Sequence, residues 1–248
     1  MNTEKPQKGN PHKLPIWQHV LSARSIKRFT GPDGNVAVKR CQSKHEFRVP
    51  PDDRLFCVQR SWDRRSETGY MKQIEDEFQI LADAVMGGLR TIDVEKSRII
   101  TRFFALWCSR FRQRYSPTPD HAIYGVAGEC LSKDQEEMLE RNHIGFFRAH
   151  QTMPGRFVSG LQIQIAIDQL ETHFRGCHWG VVGASEGEFL VPDTFGVRVA
   201  VPLSPTICLF SGCENMELSM REIAKLNRLA VQSAKDYHFA RDFNLCPV

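Results

Sequence analysis

No stretch of the 248 residues approaches the roughly 18–20 consecutive apolar residues that a membrane-spanning helix needs. The opening MNTEKPQKGNPHK has no apolar core of the kind a secretory signal carries. These two absences make a soluble cytoplasmic protein the expectation. Internal repeats and low-complexity tracts are also missing. The eight cysteines (41, 57, 108, 130, 177, 208, 213 and 246) form no C-x2-C pair and are widely and irregularly spaced, so reduced thiols are expected rather than disulfides. Neither Cys177-His178 nor Cys208-x4-Cys213 has the spacing of zinc ligands. There is no G-x-x-x-x-G-K-S/T, no G-x-G-x-x-G and no H-E-x-x-H, which removes P-loop, Rossmann and zincin chemistry.

What is present is ordinary globular composition, 41% hydrophobic and 25% charged, enough for a substantial core. The net charge of +4 is unevenly spread: residues 1–50 carry ten Lys and Arg against three Asp and Glu, a balance of +7 that leaves −3 for the remainder. Residues 1–11 read as a basic, flexible leader. Its sign suits nucleic acid or an acidic protein partner, or merely a solvated tail.

Residues 25–40 read as a hairpin turning at Gly31-Pro32-Asp33-Gly34. From Tyr70, apolar residues at 71, 74, 78, 81, 82 and 85 predict an amphipathic helix ended by Gly87-Gly88. A second helix is predicted from the N-cap Asp93 to Tyr115, with its arginines gathered towards the C-terminal end where they suit the helix dipole. Ser132 and Gln135 make a capping box for a third, whose apolar residues are Met138 and Leu139. A fourth spans about 157–174, although its alternating Ile163, Ile165 and Ile167 would also suit a strand. Four short runs, 178–184, 187–193, 197–203 and 206–211, then read as an antiparallel meander. A capping box at Ser219 and Glu222 opens a last helix to about Tyr237. The fold class is α+β: an N-terminal β-hairpin, a helical middle (about 70–175), and a C-terminal antiparallel sheet packed on a final helix (about 176–240), all in one domain over 12–248.

Four segments carry a family resemblance: PHKLPIWQHVLSARSIKRFTGPDGNVAV, IEDEF, CHWGVVGASEGEFLVPDTFGVRVAVPLSP and IAKLNRLAVQSAKDYHFA. Together they resemble a largely bacterial family catalogued as domain of unknown function number 4238, with its histidine-containing opening, acidic helix, Asp-ended hairpin and closing helix. The chain departs from that pattern after Asp193, where Thr194, Phe195 and Gly196 follow, and its two N-terminal histidines, His12 and His19, stand seven apart. The resemblance implies a segment order and no activity.

Two functions are open from the residues themselves. The first is a metal-dependent nuclease or related phosphodiesterase acting as a toxin or anti-phage defence component. Asp193 and Glu75 would hold Mg2+ or Mn2+, and Asp193 with His12 or His19 would serve catalysis. Arg60, Arg64, Arg65 and Arg28 would grip phosphate, with Trp62 stacking on a base. The second is a non-catalytic module that binds nucleic acid or a protein partner. Each residue has a plainer role: Asp193 can cap a turn, Glu75 can be solvated, and Trp62 can lie in the core.

Overall fold

The computed structural model describes residues 4–195 and 199–248. Leader residues 1–3, Gly196 of the Asp193 turn and the first two positions of the strand read at 197–203 lie outside the described residues.

The chain enters the fold through β1 (Trp17–His19), after which Ser22 accepts from the Ser25 amide and caps a short helix, α1 (Ala23–Lys27). The first arm of the expected 25–40 hairpin is therefore helical. Ile26 and Phe29, three apart, both enter the core, a spacing one helical turn satisfies and a strand does not. Only the second arm extends, as β2 (Val36–Arg40), and the hairpin that forms lies one step on, between β2 and β3 (Glu46–Val49). β4 (Cys57–Gln59) returns to pair with β1.

Asp63 caps α2 (Arg64–Ser66), which passes through a π turn, broken at Gly69, into α3 (Lys72–Met86). Asp93 accepts from the Lys96 amide and caps α4 (Val94–Tyr115), as its sequence predicts. Phe78 of α3 stacks flat on Phe103 of α4, ring centroids 3.6 Å apart. After β5 (His121–Ala122) comes α5 (Lys133–Arg141), with the Ser132–Gln135 capping box complete, and then β6 (Thr152–Met153), paired with β5. The ambiguous segment is the helix α6 (Gly155–His173): Ile163 and Ile167, one turn apart, are buried and Ile165 faces out.

The last third holds β7 (Trp179–Ala184), β8 (Val191–Pro192), β9 (Ala200–Ser204), β10 (Ile207–Ser211), β11 (Met216–Leu218), α7 (Met220–Ser233) and β12 (Tyr237–Ala240). Two four-stranded sheets result, in the orders β11-β7-β10-β9 and β3-β2-β12-β8. The expected C-terminal part, meander and last helix together, is corrected in three ways. β8 leaves it and pairs with β12, Val191 opposite Phe239; β11 joins it parallel to β7; and α7 stops at Ser233, so that Tyr237 begins a strand. The molecule is α+β, with N-terminal strands, a helical middle and a C-terminal sheet beside α7. β12 binds the N-terminal hairpin to this arrangement, with Phe239 edge-on to both Phe29 and Phe56. Among the described residues no helix is long and apolar enough to cross a membrane.

Candidate functional site

α5 is built inside out. Met138, expected in its apolar stripe, is exposed, while Glu136, Glu137 and Glu140 are buried. Carboxylates seldom go inside without cationic partners, and here distant segments supply them. Arg60 donates to Glu140 at 2.6 Å and Arg156 to the same oxygen at 2.8 Å. Arg148 meets Glu136 through two bonds, at 2.6 and 2.8 Å, and reaches Asp120 at 3.0 Å. Arg60, just past β4, has φ of 41°, a left-handed conformation unfavourable to an arginine, and its amide donates to the Ile16 carbonyl. That turn lays its guanidinium against α5 rather than in solvent.

These cations, with Lys133 and a wall of Pro117, Thr118 and Pro119, line a cleft of 620 Å³. One carboxylate reaches into it from the leading segment. Glu4 Oε1 accepts from Lys133 Nζ and from Arg148 Nη2 at 2.8 Å; Glu4 Oε2 accepts from Arg156 Nη1 at 2.5 Å. Burial would raise the pKa of Glu4. The Arg156 charge and the bonds from Lys133 and Arg148 outweigh it and hold the acid down to about 2. Arg156 has one donor to spare: Nη2 is buried and unpartnered on a side chain only 5% exposed. The segment behind Glu4, expected as a solvated leader, is tied down too. The Gln7 amide donates to Glu137 at 2.8 Å, His12 Nε2 meets Asp134 at 2.7 Å, and Leu14 is buried.

A second polar group runs under α4. Arg110, 1% exposed, donates to Glu75 at 2.6 Å and to Glu67 at 3.4 Å, with its guanidinium 5.3 Å from the Trp62 ring centre. Trp62 Nε1 donates to Glu67. His19 joins this group. Burial pushes its ring below the ordinary imidazole range, Glu75 and Glu67 pull it partly back, and Nε2 is buried without a partner. The structure thus brings together His19, Glu75 and Trp62 around an arginine that in the sequence looked like dipole complementarity.

Asp193 is elsewhere. Its Oδ1 accepts from the Lys235 amide at 2.9 Å and its Oδ2 from those of Asp236 and Tyr237 at 2.7 and 3.4 Å. Burial nevertheless pushes its pKa up, with the neighbouring Asp236 adding to the rise. The carboxylate serves the junction between α7 and β12. Asp193 and Glu75 as arranged do not fit a shared Mg2+ or Mn2+, because backbone amides hold one and Arg110 holds the other. Among the described residues no three His, Cys, Asp or Glu side chains form a metal-ligating group.

The remaining candidates scatter. Trp62 is fully buried, so it cannot stack on a base while the domain is folded. Arg28 is paired with Asp83 at 2.8 Å, Arg64 donates to the Lys13 carbonyl at 3.0 Å, and Arg65 is exposed. Gly183-Ala184-Ser185-Glu186-Gly187 has nucleophile-elbow spacing. It closes β7 in a turn with no following helix, and Ser185 Oγ donates to the Leu218 carbonyl. Sequence reasoning found Arg60 but missed Glu4, Lys133, Arg148 and Arg156; the one available signal was the Glu136-Glu137-x-x-Glu140 spacing, a single acidic face on α5. No family model, curated protein or solved structure matches the chain.

Proposed function

We propose that the chain is a nucleic-acid-binding module whose cleft takes phosphate. The observation that carries the reading is the Glu4 carboxylate, an oxyanion held by Lys133, Arg148 and Arg156 at once. Arginine forks and a lysine point charge are the donors that recognise phosphate, and buried acids behind them keep the forks oriented. Exposed groups on the segments that build the cleft suit a polymer rather than a small ion: Tyr124, two residues past β5, is 91% exposed, and Lys5, Lys8 and Arg141 are exposed on the leading segment and at the end of α5. Anisotropy titrations with labelled single-stranded RNA and DNA test it. Affinity should fall with salt, and Lys133→Gln should flatten the log–log slope by about 0.7, one phosphate contact on a single strand. Binding indifferent to Lys133→Gln would end the reading.

One observation favours a second reading, phosphodiester hydrolysis in a toxin or defence setting: His19, bonded to the Pro51 backbone, keeps Nε2 unpartnered in the field of Glu75, which a general base could use. Cleavage of labelled RNA and DNA with Mg2+ or Mn2+ by wild type, lost in a folded His19→Gln protein, would support it. Equal cleavage by both would remove His19 from the chemistry.

A further inference from the structure

We propose that the cleft is specific for a phosphomonoester, such as the terminal phosphate of a nucleic-acid strand, and that Glu4 is a displaceable internal stand-in for it. This rests on the nucleic-acid-binding reading above and adds the chemical form of the ligand and its competitor.

The inference comes from counting oxygens against donors. A carboxylate offers two oxygens, and both Glu4 oxygens are used: Lys133 and Arg148 share one and Arg156 Nη1 takes the other. The Nη2 amino group of Arg156 is left buried with neither of its N–H groups bonded, and Arg60 Nε is also without a partner. A buried donor without a partner is an unusual and costly thing for a protein to keep. An internal phosphodiester also has two non-bridging oxygens and, like Glu4, has no third one to aim at Arg156 Nη2. A monoester has three terminal oxygens and carries close to two negative charges at neutral pH. The third oxygen gives Arg156 Nη2 an acceptor, and the second charge answers a site that already holds one carboxylate strongly ionised.

The acids around the cleft do not compete for this role. Glu140 binds Arg60 Nη2 and Arg156 Nε, and Glu136 with Asp120 binds Arg148, so each fixes the direction of a guanidinium from behind. Glu4 differs from them in its tether. It arrives on a segment held to α5 by the Gln7 amide on Glu137 and by His12 on Asp134, and its own carbonyl accepts from Arg60 Nη1 at 3.4 Å, so displacing it means releasing these contacts.

The test compares short single-stranded RNA carrying a 5′-hydroxyl or a 5′-phosphate, each titrated against wild type and a Glu4→Gln protein shown to be folded by circular dichroism. In parallel, hydrogen exchange at the Gln7 amide is followed with and without inorganic phosphate. The phosphorylated strand should bind about tenfold tighter, the worth of one added charge-assisted hydrogen bond. Glu4→Gln should tighten that strand alone, and phosphate should speed Gln7 exchange. Equal affinities unmoved by Glu4→Gln would overturn the inference and leave the nucleic-acid reading standing. A nucleoside monophosphate binding as tightly as the strand, with Gln7 released, would keep the inference and overturn that reading. No binding and no change in exchange would overturn both.

Discussion

Asp193 and Tyr237 hold each other twice: the Asp193 amide donates to the Tyr237 carbonyl at 3.1 Å, and Asp193 Oδ2 accepts from the Tyr237 amide at 3.4 Å. With the bonds from Lys235 and Asp236, the side chain satisfies three consecutive amides where α7 gives way to β12. Asp193→Ala should therefore cost about 2–4 kcal/mol, the range for losing charge-assisted bonds and leaving buried amides bare. Asp193→Asn, which keeps an acceptor, should cost less. Urea denaturation decides: an alanine variant as stable as wild type would show that the amides find other partners. Any activity lost in this variant needs a folding control before it is read as chemistry.

Arg110 gives the sharpest energetic contrast. Arg110→Met strands Glu67 and Glu75 against the core and should cost about 3–5 kcal/mol, as when a buried pair loses one partner. Adding Glu67→Gln and Glu75→Gln removes the stranded charges and should recover most of that loss. If the triple variant is no more stable than the single one, packing of the guanidinium on Trp62 matters more than its charge.

Gly160 sits where α6 crosses α2, and a methyl group there would land on Ser66 Oγ and Asp63 Oδ1, the pair that caps α2. Gly160→Ala should destabilise by about 1–3 kcal/mol as an overpacking change, despite the better helix propensity of alanine. A thermal melt showing stabilisation would mean that the α2 cap can move aside.

His238 sets an acid limit. Burial, then the charge of Lys39, lowers its pKa from 6.5 to about 4, and Nδ1 has no partner. Between those pH values the unfolded chain binds the proton and the folded chain does not. This contribution to stability is thus fully present above pH 6.5 and declines as the pH falls towards 4. Melting temperature followed across that window should drop less steeply in His238→Phe, whose ring keeps the edge contact with Phe243 at the 5.5 Å centroid distance. Parallel curves for the two proteins would assign the acid sensitivity to other groups.

Much of the architecture was legible because its signals are local. Asp93, Ser132 and Ser219 sit immediately before periodic segments and start the helices predicted there: Asp93 and Ser132 accept helix amides, and at Ser219 the Glu222 carboxylate accepts from the serine amide. The errors arose where a distant partner decides. Val191 and Pro192 look like part of a meander until β12 competes for them, and Tyr237 looks like the end of a helix until Asp193 draws off the amides. The cleft was harder still. Arg60 stands out beside Trp62, but Glu4, Lys133, Arg148 and Arg156 are each unremarkable in their own windows, and only the folded chain brings the five together. In α5 the rule that charged faces are solvated pointed the wrong way, because three arginines from outside the helix make burial of Glu136 and Glu140 tolerable.

The place of β12 matters for how the molecule is made. Its two neighbours are β2, near the start of the chain, and β8. During synthesis β2 and β3 can pair as soon as they leave the ribosome, but the other edge of β2 stays open until Tyr237–Ala240 has emerged, long after β2 itself. Until then an apolar strand with unpaired backbone groups is exposed, the condition under which nascent chains stick to one another. Dependence on chaperones or on translation rate should therefore be governed by the wait for Tyr237–Ala240, whose Tyr237 and Phe239 complete the core that the helical middle also lines.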